Sequence, residues 1–295
     1  TAYTHGATAV ANAYVGGVLA SNNKIYLIPN GQANQSNWHY IDSNTGTVTA
    51  YAHGLGGDTP VQYAYSGGVL APNGRVYMIP DAQSNQTKWH YIDSNTGTVI
   101  AYTHGVTCVA GAYAGGVLAP NGKIYLIPCA QSNQTNWHYI DSKTGTVTAY
   151  AHGLGGDTPV QYAYVGGVLA PNDRIYLIPY AQSNQTKWHY IDSNTGTVTA
   201  YTHGVTCVAN AYIGGVLAPN GKIYLVPNGQ SNQTNWHYID SSTGTVTTYA
   251  HGLGGDTPIG NGYTGGVLAS NGKVYLIPYA QSNQTKWHYI DSNTG

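Results

Sequence analysis

The triplet Gly-Gly-Val begins at Gly16, Gly67, Gly115, Gly166, Gly214 and Gly265, so its spacing alternates between 51 and 48 residues and the true period is a double repeat of 99. Trp38, Trp89, Trp137, Trp188, Trp236 and Trp287 keep the same alternation. A repeat this regular confines the chain to one small supersecondary unit used six times, each burying its apolar face against the next. The extra length lies in the connector, where "AHGLGGDTPVQ" alternates with "THGVTCVA". Six units therefore group as three pairs.

Within a unit, "AYVGGVLA" leads through a "PNG"-type turn to "KIYLIP", then a polar loop, then "WHYID", an "SNTG" turn and "TVTAY". Asn-Gly and Thr-Gly supply the positive φ of tight hairpin turns, and the runs between them are rich in Tyr, Val, Ile and Thr. No stretch sustains a helical period. The expected fold is all-β: a six-bladed β-propeller of four-stranded antiparallel blades, arranged as three double repeats. "KIYLIP" followed by "YIDSNTGTV" resembles the strand pairs of kelch repeats and of PQQ-type repeats, which implies the propeller superfold and, since fold and function separate, no particular activity. The chain starts with "TAYTHG", the end of a fourth strand, and stops at "WHYIDSNTG", just before one. The N-terminal strand is therefore expected to close the last blade. Residues 1–295 would form a single domain, or one period of a longer repetitive chain.

Composition narrows the function. Charged residues are 7% of the 295 and the net charge is −1, too little basic surface for nucleic acid as a partner. No apolar run approaches the ~20 residues of a membrane span. Cys108 and Cys207 are repeat-equivalent and Cys129 is not, so no disulfide framework is expected. The glycine pairs suit innermost strands that approach one another closely. The 28 tyrosines, beside no phenylalanine, need hydroxyl partners, for which Thr, Asn and Gln are abundant.

In an antiparallel blade the two tight turns share one face, and the "QSNQT" loop and the connector share the other, where binding residues are expected. Asn34, Asn85, Asn133, Asn184, Asn232 and Asn283 each open an Asn-Gln-Ser/Thr triplet, a glycosylation acceptor that would place the protein outside the cell. His39, His90, His138, His189, His237 and His288 sit within the third strand and read as hydrogen-bonded structural groups. A second set, His5, His53, His104, His152, His203 and His251, ends the fourth strand and is expected to reach solvent. In the long connectors His53 precedes Asp58, His152 precedes Asp157 and His251 precedes Asp256, making these six the ligand-binding candidates. No metal, cofactor or catalytic residue is expected, because near-identical units duplicate groups without differentiating acid from base. The resulting expectation is a non-catalytic extracellular scaffold, N-glycosylated and able to self-assemble into filaments, with itself or glycans as partner. The alternative is a multivalent lectin-like carbohydrate-binding propeller. A designed symmetric propeller and an enzyme rank below both.

Overall fold

A computed structural model describes residues 5–8, 10–31, 35–82, 86–130, 134–181, 185–229, 233–256, 258–279 and 285–294. The fold is an all-β six-bladed propeller, its blades antiparallel sheets. The chain divides into two compact units, residues 1–130 with 136–151, and residues 131–135 with 152–295.

The first unit holds three blades. They are β1 (Tyr14–Leu19), β2 (Lys24–Pro29), β3 (Asn37–Asp42) and β4 (Val48–Ala52); β5 (Tyr65–Leu70), β6 (Arg75–Pro80), β7 (Lys88–Asp93) and β8 (Thr98–Thr103); and β9 (Tyr113–Leu118), β10 (Lys123–Pro128), β11 (Asn136–Asp141) and β12 (Val147–Ala151). Each runs as a meander in chain order. The second unit repeats the plan with β13 (Tyr164–Leu169), β14 (Arg174–Pro179), β15 (Lys187–Asp192) and β16 (Val198–Thr202); β17 (Tyr212–Leu217), β18 (Lys222–Pro227), β19 (Asn235–Asp240) and β20 (Val246–Ala250); and β21 (Tyr263–Leu268), β22 (Lys273–Pro278) and β23 (Tyr289–Asp291).

Turn chemistry sets the register. After β1-type strands the turn residue is left-handed, as at Gly74 (φ 81°), and at Asn23 and Asp173, which keep φ near 60° without being glycine. After β3-type strands the Asp42 carboxylate accepts from the backbone N–H groups of Asn44 (2.9 Å) and Thr45 (3.0 Å), an Asx turn that starts β4. Both turns lie on one face, because Asn22 Nδ2 of the first blade donates to the Ser94 carbonyl in the β7–β8 turn of the second at 2.6 Å.

The core lies between successive blades. Tyr26, Ile28 and Trp38 of the first blade pack with Tyr65, Val76 and Met78 of the second, and Tyr77, Ile79 and Trp89 of the second with Tyr113, Ile124 and Leu126 of the third. The second unit repeats this from its first blade to its second and from its second to its third. First strands of consecutive blades adjoin, β1 to β5 and β5 to β9, then β13 to β17 and β17 to β21, as the glycine pairs foretold.

The two glycines of a pair differ. A Cβ on Gly116 would lie 2.7 Å from Ile79 Cδ1 of the preceding blade and 3.2 Å from Ile124 Cγ2, whereas one on Gly115 would meet nothing within 4 Å. Gly116→Ala is therefore expected to cost about 1–3 kcal/mol through overpacking. Gly115→Ala should stay within about 0.5 kcal/mol of wild type. Urea denaturation of the two variants checks this, and equal losses would refute it.

The tyrosine hydroxyls find partners other than the expected amides and hydroxyls in several places. Tyr65, Tyr113 and Tyr164 bond the Nδ1 atoms of His90, His138 and His189, and Tyr77 donates to the Ser142 carbonyl at 3.3 Å. The hydroxyls of Tyr51, Tyr102, Tyr150, Tyr201 and Tyr249 are buried with no protein partner among the described residues. Their burial pushes each phenol far above its ordinary ionisation range.

The last sheet has three strands among the described residues. Of the "TAYTHG" segment expected to complete it, Thr1 to Thr4 lie outside them, and His5 and Gly6 are in no strand. Trp287 is 69% exposed, against 0–2% for Trp38, Trp89, Trp137, Trp188 and Trp236, each of which faces a tyrosine of a fourth strand.

Candidate functional site

The histidines that end the fourth strands are buried, contrary to the expectation that they reach solvent. His53, His104, His152 and His203 are 6–7% exposed, and only His5 and His251 are more open. The reason is the indole beneath them: His104 stacks on Trp89 at 4.3 Å and His203 on Trp188 at 4.3 Å, with His53 on Trp38 and His251 on Trp236 at 4.8 and 4.7 Å. Each ring is also fixed at both nitrogens. His53 Nε2–H donates to the Gln35 carbonyl at 2.6 Å, and its Nδ1 accepts from the Leu55 N–H at 3.2 Å. The bonds of His152 to Gln134 and Leu154, and of His251 to Gln233 and Leu253, repeat this geometry.

Asp58, Asp157 and Asp256 each close a short 3₁₀ turn, and each pairs with a lysine of the following blade: Lys88 at 2.7 Å, Lys187 at 2.7 Å and Lys286 at 2.8 Å. The predicted His–Asp pairs thus divide, the histidine bound to its own blade and the aspartate to the next. The Asp58 and Asp157 carbonyls accept from Nε2–H of His90 and His189 at 2.7 Å, which leaves Nδ1 to accept from the Tyr65 and Tyr164 hydroxyls. His90 and His189 are therefore neutral structural rings. Burial holds His90, His138, His189 and His237 at a pKa of about 4, and lowers those of His39 and His288.

Open concave surface recurs instead beside the buried histidines. A cleft of about 360 Å³ on the first blade is lined by Gln35, Ser36, Ala52, His53, Gly54 and neighbouring connector residues. Gln86, Thr87, Thr103, His104 and Gly105 line its counterpart on the second blade, about 270 Å³. Both linings lack a charged side chain and offer hydroxyl, amide and backbone groups. Gln35, Ser36, Gln86 and Thr87 belong to the Asn-Gln-Ser/Thr triplets, so their repetition was visible in the sequence. Their place beside the fourth-strand histidine was not. The acceptor residues Asn34, Asn85, Asn133, Asn184, Asn232 and Asn283 lie outside the described residues.

Among the described residues no three His, Cys, Asp or Glu side chains gather as a metal site. Cys108, Cys129 and Cys207 are free thiols, and burial raises the pKa of each. No helix among the described residues is long and apolar enough to cross a membrane.

No family model and no curated protein matches this sequence. Solved structures do match in fold. The extracellular domain of a chain assigned to a hybrid two-component system of B. thetaiotaomicron superposes with a TM-score of 0.58 at 10% identity, covering 92% of this chain and 33% of its own length. An auxiliary nutrient binding protein from Bacteroides thetaiotaomicron gives 0.52 at 14% identity, over 90% of this chain and 66% of that one. A fungal alcohol oxidase of the AA5 family, in complex with copper, gives 0.58 at 16% identity, over 94% and 62%. This chain thus spans about a third of the first of these proteins and under two thirds of the other two. At such identities the likeness is one of fold.

Proposed function

We propose that this chain is an extracellular, non-catalytic propeller that binds neutral carbohydrate through clefts repeated from blade to blade. The observation that carries the reading is the pair of equivalent clefts beside His53 and His104, uncharged and lined by hydroxyl, amide and backbone groups. Such a lining suits a polyhydroxylated neutral ligand better than a phosphate or a carboxylate, which would call for arginine, lysine or a helix N-terminus. Repetition adds avidity: shallow clefts that bind single sugars weakly gain affinity when one branched or polymeric glycan engages several. The fold likeness to an extracellular domain and to a nutrient binding protein supports this setting, as do the six acceptor triplets. The engagement of the connector histidines and aspartates within the scaffold weighs against catalysis, since none is left as a differentiated acid or base.

The test is binding to a panel of neutral glycans, presented singly and on a multivalent surface. Binding is expected on the multivalent surface and is expected to weaken at least about tenfold for single sugars. Gln35→Ala with Gln86→Ala should lower it, because both side chains line the clefts while the backbone carbonyls that fix His53 and His104 remain. A panel with no glycan retained on either surface would sink the reading.

A second reading, self-association, draws on the third blade of the second unit. There Trp287 (69%), Tyr279 (72%) and Tyr289 (49%) are exposed and β23 has no outer partner strand among the described residues. A cluster of exposed aromatic side chains of this kind marks a surface that associates. Its test is the sedimentation profile over a range of concentrations.

A further inference from the structure

The repeats are not identical, and their chemical differences gather at one corner of the blade. The residue two before the first-strand tyrosine is Asn12, Tyr63, Gly111, Tyr162, Asn210 and Asn261 in successive blades, and the residue after the second-strand proline is Asn30, Asp81, Cys129, Tyr180, Asn228 and Tyr279. The flanking "GGVLA" and "WHYID" strands scarcely change. Backbone hydrogen bonds join the two variable positions. Tyr63 N–H donates to the Asn30 carbonyl of the preceding blade at 2.8 Å, and its own carbonyl accepts from Ala82 N–H at 3.2 Å, the residue next to Asp81. In the second unit Tyr162 likewise accepts from Ala181 N–H at 3.2 Å, next to Tyr180.

All six residues at the first position have positive φ, between 54° and 65°. Asn and Gly adopt that region readily, but a bulky aromatic residue there is an outlier whose strain the surrounding bonds must hold. Tyr63 and Tyr162 are nevertheless 47% and 50% exposed, so neither ring is repaid by burial in the core. Each follows an exposed glutamine, Gln62 or Gln161. Strain at an exposed ring, in positions where four other blades use Asn or Gly, is what a contact residue looks like.

We propose that Tyr63 and Tyr162 are stacking platforms for a pyranose ring. Asn30 and Asp81 flank the first and Tyr180 the second, which makes these two corners chemically distinct from each other and from the remaining blades. The proposal rests on the carbohydrate reading and adds to it the two residues that contact the sugar face. An aromatic ring binds the C–H face of a pyranose by apolar contact, while amide and carboxylate oxygens bond its hydroxyl edge.

The experiment measures the affinity of the full chain for the neutral glycan best retained on the multivalent panel, before and after Tyr63→Asn, Tyr162→Asn and both together. Asparagine is the residue other blades carry here and is at ease with positive φ, so the thermal midpoint should hold or rise. Binding should fall about tenfold or more in the double variant, with unequal losses in the singles because the flanking residues differ. Undiminished binding in a folded double variant, with binding still sensitive to Gln35→Ala and Gln86→Ala, would overturn the platforms and keep the carbohydrate reading. A wild-type protein that binds no glycan would end both.

Discussion

Lowering the pH from 7 to 4 is expected to strip the protein of most of its resistance to urea, with the loss falling between pH 6.5 and 4. The cause is the set of third-strand histidines. Burial holds His90, His138, His189 and His237 at about 4, below the ~6.5 of an imidazole in an unfolded chain. A group whose folded pKa is depressed contributes fully above its unfolded pKa. Its contribution drains away as falling pH protonates the unfolded chain first, and is gone below the folded pKa. A shift of this size corresponds to about 3 kcal/mol per histidine before solvent screening, and even halved the four together approach a large share of the ~5–15 kcal/mol of a typical domain.

The surroundings fix the window. His90 faces the Tyr65 hydroxyl, the Asp58 carbonyl and carboxylate, His53 and Lys88, and His138 faces Tyr113 and His104. The turn carboxylates Asp42, Asp141 and Asp240 have pKa values lowered by their hydrogen bonds, so what they contribute disappears only below the histidine range. Urea midpoints collected at half-unit pH steps check the expectation. A midpoint that stays level down to pH 4.5 would exclude it, and His90→Gln with His189→Gln should shallow the slope.

Replacing Trp89 with alanine is expected to cost about 3–5 kcal/mol, while the same change at Trp287 costs under about 1. The two residues occupy the same place in the repeat. Trp89 is 0% exposed, stacked under His104 at 4.3 Å and edge-on to Tyr113 of the next blade at 6.5 Å, so truncation opens a cavity at the seam between blades. Trp287 is 69% exposed and has little to lose. Chemical denaturation of the two variants decides the matter. Equal losses would mean that Trp287 is packed in solution as Trp89 is.

Much of this architecture could be read from the residues. The short apolar run in "KIYLIP", the Gly and Asn turn residues and the 51/48 spacing are local signals, and the four-stranded meanders follow from them. The site was less legible because its determinants are not local. His53 announces itself in "AHGLGGD", but its burial depends on the face of Trp38, fifteen positions earlier and across a hairpin. Asp58 stands beside His53 in sequence yet is spent on Lys88, thirty residues on. Tyr63 gave no sign of its left-handed backbone, since nothing in "PVQYAY" resembles a turn and only comparison with Asn12 and Gly111 exposes the conflict.

The clearance at Gly116, filled by an isoleucine of the blade before it, bears on how such a chain could have grown and how it folds. Within each unit a blade supplies the knob for its successor, Ile28 to Gly68, Ile79 to Gly116, Ile178 to Gly215 and Val226 to Gly266, so an added copy of a blade arrives already complementary to the one before it. Duplication then lengthens the array without inventing a new interface. A solitary blade, by the same token, would have half its apolar surface in water. The smallest cooperative unit becomes two adjacent blades, and order spreads from such a pair by nearest-neighbour docking.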